Sequence, residues 1–122
     1  LSRACQLAKL DGAEVTVQYV IPRYEEMIGF FKTDSIKKSL VSEAQKILDE
    51  AKNIASPEGV SIKTDIGEGY PSDEIIETAK RLKNDLIVMG SHGWRGVNKA
   101  IMGSTAERVI INASCPILIV RQ

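Results

Sequence analysis

Apolar residues recur along this chain with two different periods, and the switches between those periods mark out its elements. Leu1, Ala4, Cys5 and Ala8 fall on one helical face. Asp11 and Gly12 stop that helix, because glycine readily takes the left-handed conformation a helix end needs. Residues 13–21 (AEVTVQYVI) are β-branched and apolar, which predicts a strand. Residues 22–34 read as a loop with scattered large side chains, Tyr24, Met27, Phe30 and Phe31. From 35 to about 55, the positions Ile36, Leu40, Ala44, Ile47, Leu48 and Ala51 describe a long amphipathic helix. Residues 60–66 alternate Val60, Ile62, Thr64 and Ile66, the pattern of a half-buried strand. Pro71 and Ser72 open another helix, with Asp73 and Glu74 in its electropositive first turn. Residues 85–89 (DLIVM) and 116–120 (PILIV) read as strands, and residues 104–112 as a short helix between them.

The predicted order is helix, strand, helix, strand, helix, strand, loop, helix, strand. The runs LIVM and ILIV are apolar at successive positions, so both faces of those strands are expected to be covered. That is the mark of a parallel sheet sandwiched between helices. Right-handed crossovers then make a doubly wound α/β domain. A helix comes first in this order, with no strand before it.

Composition narrows the function. A length of 122 residues suits one domain, 1–122. The 16 basic and 16 acidic residues balance, which argues against the concentrated basic footprint of a nucleic-acid binder. No apolar run is long enough to span a membrane and no signal-peptide core opens the chain, so a cytoplasmic protein is expected. Cys5 and Cys115 lie far apart and form no metal-spaced pair, as expected for small buried hydrophobes in a reducing compartment.

The chemistry concentrates in GSHGWRGVNKAIMGST, from Gly90 to Thr105. In open α/β sheets, ligands sit beyond the carboxyl ends of the strands, where loops meet helix starts. This loop leaves one buried strand and feeds the next helix. A helix start offers unpaired N–H groups and a partial positive charge, and glycines let the backbone approach an anion closely. The arrangement suits phosphate.

Competing readings of the same residues are bland. The Walker pattern GxxxxGK[ST] is absent. The stretch Gly67-Glu68-Gly69 mimics the start of a dinucleotide fingerprint but lacks its third glycine, and reads as a turn plus a cap. Ser104-Thr105-Ala106-Glu107 is a capping box, in which Ser104 would cap a backbone N–H and Glu107 would reach back. A hydroxyl can cap and bind a ligand at once. His92, the only histidine, has no acid or nucleophile at catalytic spacing and reads as a surface hydrogen-bonding group. Trp94 reads as a packing residue, and Arg95 and Lys99 as solvated charges within reach of phosphate oxygens.

Taken together, these motifs resemble the universal stress protein family. Gly90, Gly93, Gly103 and Ser104 match the spacing G-x2-G-x9-G-[ST] of its nucleotide-binding branch. The stretches DLIVMGSHG (85–93) and CPILIVR (115–121) are similar to that family too, as is the turn Gly69-Tyr70-Pro71-Ser72-Asp73-Glu74-Ile75. The resemblance spans almost the whole chain. It implies a five-stranded parallel sheet of order 3-2-1-4-5, binding ATP at the switch between its first and fourth strands. By position, Val20 would contact adenine from the end of the family's second strand, and Met89 and Gly90 would lie by the ribose and adenine. His92 and Gly93 would lie near the sugar and phosphates, and Gly103, Ser104 and Thr105 would hold the phosphates. Magnesium would accompany the triphosphate, with its protein ligands, if any, unassigned.

The resemblance also implies a strand that the helix-first order lacks. The family's first strand is central and ends in an aspartate that contacts the nucleoside. A Val/Ile-rich strand ending in Asp is therefore expected just upstream of Leu1, in a longer chain or supplied by a partner, because a central strand cannot be omitted cheaply.

The expected function is ATP binding by a non-enzymatic stress-response regulator. Two alternatives stand beside it: a nucleotide-independent dimerisation module, and a weak ATP hydrolase. The apolar final strand, from Pro116 to Val120, would be a sheet edge seeking a partner, and the family pairs there as a homodimer.

Overall fold

A computed structural model describes residues 1–21, 33–91 and 103–120, with the side chains of 33–35 left out of the account. Residues 22–32 of the expected 22–34 loop, residues 92–102 and the last two residues lie outside the described residues, while Thr33 and Asp34, expected in that loop, already belong to a helix. The elements are α1 (Ser2–Asp11), β1 (Val15–Ile21), α2 (Thr33–Ala55), β2 (Ile62–Glu68), α3 (Pro71–Arg81), β3 (Ile87–Gly90), α4 (Ser104–Asn112) and β4 (Ile117–Val120). The order matches the hydrophobic pattern, and the architecture is α/β with parallel strands flanked by helices. Residues Leu1–Tyr70 and Pro71–Gln122 form two compact units.

In the first unit, β1 and β2 pair in parallel from Val15 opposite Ile62 to Ile21 opposite Glu68. The pairing sorts the side chains, since residues in register share a face. Val15, Val17, Tyr19 and Ile21 line up with Ile62, Thr64, Ile66 and Glu68, while Thr16, Gln18 and Val20 line up with Lys63, Asp65 and Gly67. On the second face the Gln18 side-chain amide donates to Asp65 at 2.8 Å, a cross-strand bond that rewards this register. α2 packs on this sheet through Ala44, Leu48, Ala51 and Ala55, all buried, at the i, i+4, i+7, i+11 spacing of one helix stripe. α1 adds Cys5 and Ala8 to that core. It ends at Gly12, whose φ of 65° is left-handed, with the N–H of Ala13 returning to the Ala8 carbonyl at 3.0 Å.

The strand boundary at β2 differs from the sequence expectation. The Gly59 N–H donates to the Ser56 carbonyl at 3.1 Å, closing a 3₁₀ turn over Ser56–Glu58, and the Val60 N–H reaches back around it to the Ala55 carbonyl at 3.4 Å. The ladder therefore begins at Ile62. It also runs further: Gly67 and Glu68 belong to the strand rather than to a turn, and only Gly69, at φ 135°, makes the bend into α3.

In the second unit, β3 and β4 pair in parallel, with Met89 opposite Ile119 and Gly90 opposite Val120. Each residue of both strands is half-buried, on both faces alike. The strand starts at Ile87, where its N–H meets the Pro116 carbonyl at 3.0 Å, so Asp85 and Leu86 stay outside the ladder. α3 and α4 pack against each other, buried at Ser72, Thr78 and Ala79 on one and at Ala106 and Val109 on the other. The Arg108–Asp73 ion pair between them, at 3.9 Å and well exposed, adds little. The described strands pair only as β1 with β2 and β3 with β4.

The start of α4 corrects the capping-box expectation. The N-cap is Gly103, in an extended conformation (φ −65°, ψ 152°), and the helix has no side-chain capping bond. Ser104 is the first helical residue, one position too far along for its hydroxyl to serve as the N-cap acceptor.

Two stability measurements check this account. Leu48→Ala, at a site 1% exposed, should lower the unfolding free energy by about 2–5 kcal/mol in urea titrations. Ser104→Ala should leave it within about 0.5 kcal/mol of wild type, whereas loss of a true cap costs about 1 kcal/mol.

Candidate functional site

The site is built where β3 ends. Gly90 is the last residue of that strand, and the Ser91 N–H extends the ladder by donating to the Val120 carbonyl at 3.3 Å. The Ser91 carbonyl then accepts from the Gly103 N–H at 2.7 Å. The strand end and the helix start are thus joined directly.

That bond decides which donors remain. The Gly103 N–H is used, and the first helical bond runs from the Glu107 N–H to the Gly103 carbonyl at 3.0 Å. The N–H groups of Ser104, Thr105 and Ala106 precede it, so the helix itself supplies them no acceptor. They point along the helix axis at its positive end, which favours a negative charge. Ser104 is exposed and Thr105 half-buried, so two hydroxyls stand beside these donors. Three N–H groups, two hydroxyls and the helix dipole form a donor set that fits a phosphate oxygen cluster.

Gly103 sharpens the point. Its φ of −65° is open to any residue, so the conformation does not require glycine. What glycine contributes there is the absence of a side chain at the mouth of the helix.

The residues singled out from the sequence are placed as follows. Met89 and Gly90 are the last two residues of β3, and Gly103, Ser104 and Thr105 are the cap and first turn of α4, so these five belong to one strand-to-helix junction. Val20 is the penultimate residue of β1, half-buried, at the carboxyl end of the other sheet. His92 and Gly93 lie outside the described residues, as do Trp94, Arg95 and Lys99. Two participants were missed. The Ser91 carbonyl clasps Gly103, and the Ala106 N–H is a third donor to which the helix gives no acceptor. Only the position of Ser91, directly after the strand, hinted at its part.

Among the described residues no group of three or more His, Cys, Asp or Glu side chains is arranged to hold a metal ion. Among them also, no helix is long and apolar enough to cross a membrane.

Comparison with known proteins addresses the family and the fold. The profile of the universal stress protein family matches residues 1–121. Universal stress protein MJ0531 of Methanocaldococcus jannaschii is 41% identical over 122 residues, covering 98% of this chain and 71% of that protein. The solved structure of MJ0577, from the same organism, superimposes with a TM-score of 0.82 at 28% identity, over 99% of this chain and 87% of that one. The universal stress protein of Archaeoglobus fulgidus, solved in complex with dAMP, gives a TM-score of 0.68 at 26% identity, over 96% and 81% of the two chains. A match along nearly its full length, in both sequence and fold, means that the chain belongs to the universal stress protein family.

Proposed function

We propose that this chain is a cytoplasmic, ATP-binding regulator of a stress response, and that it holds the nucleotide at the junction of β3 and α4. The observation that carries the reading is the first turn of α4, where three N–H groups lack a helical acceptor beside an exposed Ser104 hydroxyl. Ser104, Thr105 and the backbone to Ala106 would bind the phosphates. Met89 and Gly90 would line the ribose and adenine, joined by Val20, with His92 and Gly93 near the sugar. The dAMP complex of the Archaeoglobus fulgidus relative supports an adenine nucleotide as the ligand class. Magnesium, when bound with ATP, would neutralise charge between phosphate oxygens and keep much of its water shell, which suits a site without a carboxylate cluster among the described residues.

The same reading assigns little or no hydrolysis. Phosphoryl transfer requires a group that orients and activates water. Backbone N–H groups and serine or threonine hydroxyls bind and position phosphates instead. ATP would then act by stabilising the conformation to which it binds.

A second property fits beside the first. β4 pairs with β3 alone among the described strands, so its other edge is open to a second copy of the chain. Sedimentation should report a dimer, and a monomer at high micromolar concentration would remove this part of the reading.

Calorimetry with ATP and magnesium tests the nucleotide site. Binding is expected at or below millimolar ATP, with Gly103→Val abolishing it by placing a branched side chain at the helix mouth. Ser104→Ala should weaken it about ten-fold, the effect of losing one hydrogen bond to a charged group. Absence of binding at millimolar ATP, or full binding by Gly103→Val, would overturn the reading.

A further inference from the structure

We infer that nucleotide binding and self-association are thermodynamically linked in this chain. A second copy on the outer edge of β4 would steady the start of α4, and a bound nucleotide would in turn favour the pair. The inference rests on the two readings above, the nucleotide site and the β4 edge, and every residue it uses lies in one compact unit, Pro71–Gln122.

Two backbone bonds in series join that edge to the site. The carbonyl of Val120, the last residue of β4, accepts from the Ser91 N–H at 3.3 Å. The Ser91 carbonyl accepts from the Gly103 N–H at 2.7 Å, and Gly103 is the N-cap of α4. The Ser91–Val120 bond is the longer of the two. It is also the terminal rung of a ladder with only four register pairs, and ladder ends open more readily than ladder centres. When it opens, the residue that clasps Gly103 loses its tie to β4, and the helix start loses its reference to the sheet. This rung, made or broken, is the element on which both binding events would act.

Self-association acts on it from β4. The Pro116 and Val120 carbonyls point to β3, so by the alternation of a strand the N–H and carbonyl of Ile119 point the other way. Among the described strands β4 pairs with β3 alone. Its four residues, Ile117, Leu118, Ile119 and Val120, include no charge and no proline to repel another strand, so the edge suits a second β4. Paired along both edges, β4 would hold Val120 in line with Ser91. The nucleotide acts from the opposite end. Phosphate oxygens held by the N–H groups of Ser104, Thr105 and Ala106 require the first turn of α4 in place behind its Gly103 cap. Both events therefore favour the made rung, and linkage makes their coupling reciprocal.

Sedimentation of the wild-type chain with and without saturating ATP and magnesium tests the linkage. Calorimetry above and below the dimerisation range tests its reciprocal. The dimer is expected to tighten about ten-fold with both sites filled, and ATP to bind about three-fold more tightly to the dimer than to the monomer, the ten-fold being roughly the square of this per-site factor. Hydrogen exchange tests the route. Without nucleotide, the Gly103 amide should exchange several-fold more slowly in the dimer than in the monomer. If the chain binds ATP and dimerises but its dimer constant moves by less than about two-fold, the inference fails and both underlying readings stand. Equal exchange of the Gly103 amide in monomer and dimer also defeats it, because the two bonds then do not carry the coupling. A chain that binds ATP yet stays monomeric removes the self-association reading and this inference, leaving the nucleotide site intact. A dimer that binds no ATP removes the nucleotide reading, and the inference falls with it.

Discussion

The 2.7 Å hydrogen bond from the Gly103 N–H to the Ser91 carbonyl fixes where α4 begins, and the candidate site follows from it. Ser91 is itself pinned to β4 through its own N–H, so the helix start is referred to the β3–β4 ladder rather than to a free loop. With Gly103 as the cap, the helix opens without a side-chain acceptor, and the donors of Ser104, Thr105 and Ala106 face outward. Had Ser104 been the cap, its hydroxyl would have taken the Glu107 N–H and the Glu107 side chain would have reached back to the Ser104 N–H. A one-residue difference in the cap therefore separates a self-satisfied helix end from one that suits an anion.

The same residue shows why the sequence was legible in some respects and misleading in others. Helix α4 spans Ser104–Asn112, as its pattern predicts, because the apolar period and the glycine before it agree. The S-x-x-E tetrapeptide fits a cap at Ser104 equally well, and nothing local distinguishes the two. The choice is made by Ser91, thirteen positions upstream, through a backbone bond that no side-chain pattern encodes. Strand ends behave alike: Ile87 starts β3 because Pro116 stands opposite, and Ile62 starts β2 because Val60 is still bonded to the preceding turn. Periodicity reports which face is apolar. Ladder limits depend on a partner elsewhere in the chain.

The two sheets also differ in sequence pattern. In β1 and β2 apolar and polar positions largely alternate along the sequence, and the Gln18–Asp65 bond joins the two strands on one face. In β3 and β4 the apolar runs carry no alternation, and all their residues are half-buried. The first pattern reveals register, because a slip by one residue would exchange the apolar and polar faces. The second reveals that both faces need cover, but it leaves the register to the backbone. The candidate site lies at the carboxyl end of β3, where its ladder with β4 stops and backbone groups become available.

Glycines divide along a similar line, and the division separates fold from function. Gly12, Gly59 and Gly69 hold φ values of 65°, 71° and 135°, so each is required by a turn or a helix end and would be explained without any ligand. Gly103, at φ −65°, is under no such conformational demand, and Gly90 closes a regular strand. A glycine kept where the backbone does not need one has to be explained by space. At Gly103 that space lies beside three N–H donors to which the helix gives no acceptor, at its positive end. The motif glycine therefore marks the site because the local backbone would accept other residues there, whereas a negatively charged group approaching the helix start would not accept a bulky one.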